Sequence, residues 1–156
     1  MAFVLQPQDY DQIKRDLDDF LSNSEARTVL LCDRGGNVIA DSGENVADSM
    51  DLVSTLVAGA FAATKELAMV MGEEEFSTIF HQGENTSIFM SSVGEEVLLF
   101  SLYSNDTNAG LVKMYALTVS RKIHSLVNEV MQRDEVVPED PTASFVLTKG
   151  NIFDMK

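Results

Sequence analysis

Apolar residues recur at helical spacing in three segments and fill short, turn-bounded runs in five others. Over Gln8–Leu21, Tyr10, Ile13, Leu17, Phe20 and Leu21 line one side of a helix, while Asp11, Lys14, Arg15, Asp18 and Asp19 take the other. Pro7 suits its first position, and Ser22–Glu25 ends it. Arg27–Asp33 is short and rich in branched residues, which predicts a strand. Arg34-Gly35-Gly36-Asn37 is a turn, and Val38–Asp41 pairs back as a second strand. Ser42–Asp48 is a polar loop, with Asp48 or Ser49 as the cap of a long helix over Met50–Met71 that stops at Gly72. Three strands follow: Glu75–His81, Ser87–Val93 and Val97–Tyr103, joined at Gly83-Glu84-Asn85 and Gly94-Glu95-Glu96. Asn108 caps a third helix, Ala109–Gln132, with Val112, Ala116, Val119, Ile123, Val127 and Val130 on one stripe. The order α-β-β-α-β-β-β-α predicts an α+β, three-layer α/β/α fold. Its centre is a five-stranded antiparallel sheet, with the long helix on one face and the terminal helices on the other.

The long helix is the unusual element. One apolar stripe comprises Val53, Val57, Ala60, Phe61, Ala68 and Met71; beside it runs a second, Leu52, Leu56, Gly59, Ala63, Leu67 and Val70. The remaining face, with Asp51, Thr55, Ala58, Ala62, Lys65, Glu66 and Met69, is shallow and only partly polar. One stripe is enough to dock a helix on its own core, so the second implies cover by another chain. Ala58 and Ala62, one turn apart, permit close approach. The segment is nearly long enough to cross a bilayer, but Lys65 and Glu66 would be costly in hydrocarbon, so it is read as a buried helix of a soluble protein, with no membrane insertion.

Composition narrows the options. The chain has 156 residues, 45% of them apolar, which fits one core-forming domain over residues 1–133. A net charge of −14 argues against nucleic-acid and anionic-membrane partners and suits a basic protein partner. Cys32 is the single cysteine, so no internal disulfide is possible; together with the lack of a signal-peptide pattern this predicts a cytoplasmic protein. Residues 134–156 begin as an acidic, proline-interrupted linker and end in an apolar tail. There, Phe145, Leu147, Ile152 and Phe153 would serve as a partner-binding motif or pack on the domain.

No motif for chemistry is found. Phosphate-cradling GxxxxGK[ST] and GxGxxG loops are absent, as are HExxH and GxSxG. His81 and His124 sit on different elements, and Cys32 lies inside a strand as an inert thiol, so no catalytic, metal or cofactor site is expected. Arg34, at a hairpin tip, is either a solvated turn residue or a finger reaching a partner's active site.

The LLCDRGGNVIADSG hairpin, the LVAGAFAATKELA and GLVKMYALTVSRKI helices and the element order together resemble the roadblock family over Gln8–Arg133. The FSTIFHQGENTSIFMSSVGEEVLLF block is similar to its bacterial MglB-like branch. The resemblance implies a homodimer formed through the long helix and the third strand, here Leu52, Leu56, Gly59, Phe76, Thr78 and Phe80. It also implies a small Ras-like GTPase docked on the long helices, here on Thr55, Ala58, Ala62, Lys65, Glu66 and Met69. Such proteins stimulate GTP hydrolysis by repositioning the GTPase's own residues, in cell polarity or motility signalling. Lys65 and Glu66 stand where some relatives carry small residues. The alternatives are an adaptor platform that leaves turnover unchanged and, because a helix-flanked antiparallel sheet also describes PAS- and profilin-like domains, a small-molecule sensor.

Overall fold

The computed structural model describes residues 4–45 and 49–135. Their elements are α1 (Pro7–Ser24), β1 (Thr28–Asp33), β2 (Val38–Gly43), α2 (Met50–Val70), β3 (Thr78–Gln82), β4 (Thr86–Val93), β5 (Val97–Ser104) and α3 (Ala109–Glu135). Residues Leu5–Leu126 form one compact unit; the end of α3 from Val127 and Val4 belong to a second. The tail residues Phe145, Leu147, Ile152 and Phe153 lie outside the described residues.

The strands form one antiparallel sheet in the order β2-β1-β5-β4-β3, so β2 and β3 are its edges. The three layers are those the hydrophobic pattern predicts. On one face, Val57 and Phe61 of α2 pack with Leu30, Cys32, Met90, Leu98 and Phe100, and Ile79 joins them from β3. On the other, α1 and α3 bury their stripes: Ile13, Leu17 and Phe20, then Val112, Ala116, Val119 and Ile123. α1 is tied to β2 by Lys14 Nζ, which donates to the Asp41 carbonyl at 2.7 Å, and by the Ser42 hydroxyl, which donates to Asp18.

Caps account for the helix ends. Pro7 opens α1, and the Ser49 hydroxyl accepts from Asp51 N at 3.2 Å at the start of α2. At its end Gly72 takes φ +85° while Glu73 N returns to the Ala68 carbonyl at 2.8 Å. The Asn108 side chain accepts from Leu111 N at 3.2 Å at the start of α3.

Most boundaries shift by a residue or more from the sequence reading; α1, for example, runs three residues further, to Ser24. β3 begins at Thr78 rather than Glu75, because Glu75 is held by Arg34 and lies ahead of the ladder. β2 runs on to Gly43, where pairing with Thr28 continues the ladder. α3 reaches Glu135, two residues into the segment read as a linker. α2 is buried on one side only, at Ser54, Val57, Phe61 and Ala68, which leaves its second stripe uncovered in the single chain. By length and composition it is the one described helix able to cross a membrane; its inward stripe is instead committed to the protein core.

Candidate functional site: an uncovered helix flank and sheet edge

The β1–β2 hairpin holds α2 against the sheet. Its turn closes through Gly36 N to the Asp33 carbonyl (3.1 Å) and Asn37 N to Asp33 Oδ1 (2.9 Å). Gly36 has φ +88°, and a Cβ there would meet Thr55 Cα at 3.1 Å, so glycine allows both the turn and its approach to the helix. The fully buried Ser54 hydroxyl donates to the Gly36 carbonyl at 2.6 Å, with the Asp51 carbonyl at 3.0 Å. Sequence reasoning missed Ser54, because a serine between Val53 and Thr55 belongs to neither apolar stripe.

Arg34 is neither a solvated turn residue nor a free finger. Its guanidinium pairs with Glu75 at 2.7 Å and donates to the carbonyls of Glu95 (2.7 Å) and Gly94 (3.3 Å). This fastens the hairpin tip to the β4–β5 turn and to the entry of β3, with both charged side chains about a quarter exposed. An arginine held by three acceptors in its own chain is not positioned to enter another protein's active site.

With α2 so held, its second stripe faces outward. Leu52 is 58% exposed, Leu56 64%, Leu67 51% and Val70 80%, and Gly59 and Ala63 lie between them, also exposed. Between this flank and the sheet runs an apolar groove of about 370 Å³, lined by Val53, Leu56, Val57 and Ala60 of α2 and by His81, Ile88, Met90 and Phe100 of the sheet. It ends at β3, an edge strand whose outer side pairs with no strand among the described residues. Contiguous apolar surface of this kind marks a contact site, and an unpaired edge is a template for another strand.

The six residues expected at a self-interface separate into two groups. Leu52, Leu56 and Gly59 lie on the exposed flank of α2. Thr78 and Phe80 point to the opposite face of the sheet, where Lys113 Nζ of α3 sits 4.6 Å from the Phe80 ring centroid, and Phe76 is half-buried ahead of β3. What the two groups share is the β3 edge itself. Of the expected docking face, Thr55, Ala62, Lys65, Glu66 and Met69 are exposed, while Ala58 is half-buried against the core.

Reactive groups are quiet. Cys32 is fully buried, and burial, with Asp33 adding to it, pushes its thiol up to about 12. His124 stands against Gly94, where an added Cβ would meet its imidazole at 2.6 Å, and His81 is on a groove wall. No three His, Cys, Asp or Glu side chains among the described residues are grouped to hold a metal ion.

The Roadblock/LC7 domain family matches residues 12–102. The chain belongs to that family. Its solved relatives place it in the MglB-like branch. The gliding protein MglB of Thermus thermophilus is 32% identical, with a TM-score of 0.75, covering 82% of this chain and 97% of that one. An MglB described in a tetrameric arrangement is 30% identical, with a TM-score of 0.76, covering 83% and 97%. Myxococcus xanthus MglB is 30% identical, with a TM-score of 0.73, covering 76% and 96%.

Proposed function

We propose that the chain is a cytoplasmic homodimer that regulates a small Ras-like GTPase, stimulating GTP hydrolysis by repositioning the GTPase's own residues, in cell polarity or motility signalling. The observation that carries this reading is the uncovered apolar flank of α2, continuous through its groove with the free edge of β3, in a roadblock domain of the MglB-like branch. A two-fold axis beside β3 would pair the two edges and bring the α2 flanks together, the same patch serving both partners. The remaining α2 surface, with Thr55, Ala62, Lys65, Glu66 and Met69, then offers a platform to one GTPase. The net charge of −14 favours a partner presenting basic residues. With Arg34 engaged internally, any acceleration would come from ordering the partner's own catalytic groups.

The test is single-turnover GTP hydrolysis by the host organism's Ras-like GTPases, with and without the full chain, alongside binding to their GTP-loaded forms. Faster phosphate release supports the reading. Binding with unchanged turnover makes the chain an adaptor, and neither effect across the panel refutes the proposal.

A further inference from the structure

A second site lies on the opposite face of the sheet, away from α2. Ser77, Thr78, Phe89, Ser91 and Ser92, around strands β3 and β4, face Lys113, Leu117 and Ser120 of α3 across a crevice of about 280 Å³. Five of the eight lining side chains are hydroxyls and one is a cation. None is a carboxylate, although acidic residues number 25 in the whole chain. The hydroxyls of Ser91 and Ser120 are buried and have no hydrogen-bond partner among the described residues. They contrast with Ser54, Ser101 and Thr28, whose hydroxyls reach carbonyls at 2.6, 3.2 and 2.6 Å. A buried hydroxyl without a partner is destabilising, so two facing one crevice require a reason.

We propose that this crevice binds a small oxyanion, a phosphate or carboxylate group carried on a compact molecule. Ser91 and Ser120 would donate to its oxygens, and the Lys113 ammonium would leave the Phe80 ring to neutralise its charge. Hydroxyls can donate to an anion, and a lysine supplies a mobile point charge for one. Phe89 and Leu117 add apolar wall for the group that bears the anion. The volume admits a compact molecule in place of several waters of about 30 Å³ each, and the crevice is too small for a docked helix or strand. This inference concerns another face and does not rest on the GTPase reading.

The experiment titrates the isotopically labelled full chain with inorganic phosphate and, separately, with butyrate, against sodium chloride at matched ionic strength. It follows the backbone amides of Ser91, Lys113 and Ser120 and the melting temperature. We expect saturable shifts at those amides and a rise in melting temperature with at least one anion; whichever anion binds more tightly identifies the headgroup. Both responses should weaken about tenfold or more in Ser91→Ala/Ser120→Ala and in Lys113→Met, the loss expected for contacts to a charged group. Without anion, the double serine variant should melt no lower than wild type, since the two hydroxyls bond nothing among the described residues. A response to neither anion beyond the chloride control overturns the proposal. So do responses unchanged in the variants, or a double variant that melts lower without anion.

Discussion

Replacing Ser54 with alanine tests how the hairpin positions α2. The hydroxyl lies 2.6 Å from the Gly36 carbonyl at a fully buried position, so its loss strips a buried acceptor of a donor. That deficit is about 1–3 kcal/mol. Alanine is the better helix former by about 0.5 kcal/mol, which offsets part of it. The net expectation is a loss of about 0.5–2.5 kcal/mol, or a melting temperature lower by about 2–8 °C for a domain of this size. Thr55→Ala is the matched control, because Thr55 is exposed and its hydroxyl reaches only the Asp51 carbonyl of its own helix, at 2.8 Å. Urea denaturation of both variants, read from midpoints at an unchanged slope, measures the difference. The reasoning is refuted if Ser54→Ala is as stable as wild type, or if the two substitutions cost the same.

Leu56→Ala should leave the subunit fold intact and weaken self-association. Full burial of a leucine is worth about 1.5–3 kcal/mol. With 64% of Leu56 uncovered in the single chain and two copies across a two-fold axis, the loss is about 2–4 kcal/mol, or about 30- to 1000-fold in Kd. Sedimentation over a concentration series checks this, and unchanged association would place the interface elsewhere. Ala62→Arg should give a folded dimer that no longer captures the GTP-loaded GTPase, measured by calorimetry; an unfolded variant or unaltered capture counts against that docking face. Cys32 should resist thiol reagents at pH 8 until denaturant is added. Because its folded pKa is raised, the stability it contributes is complete below the unfolded value of 9.0 and is lost as pH climbs toward about 12, which denaturation at a series of alkaline pH values would reveal. Prompt labelling of the native protein would show that the site opens.

The sequence carried the fold wherever local chemistry decides it. Thr78, Ile79 and Phe80 alternate along β3, and the structure sends Ile79 under α2 and the other two to the α3 side. The two stripes of α2 likewise separated what packs on the sheet from what remains outside, except at Met71. Met71 continues the inward spacing but is 64% exposed, because α2 has ended at Val70. What the sequence hid depends on distant partners. Ser54 is buried by a turn 18 residues earlier in the chain, and Arg34 is held by groups 41, 60 and 61 residues away. Neither contact leaves a periodic trace. The crevice hydroxyls were silent for the same reason: Ser91 and Ser120 read as ordinary polar residues until the packing of α3 on β4 brings them to one space.

Static light scattering of the full-length chain at micromolar concentration tests the central claim most directly. An exposed α2 flank joined to an open sheet edge predicts a particle of twice the 17.2 kDa subunit mass, with the β3 amides protected from hydrogen exchange. A particle of single-subunit mass with freely exchanging β3 amides would contradict it.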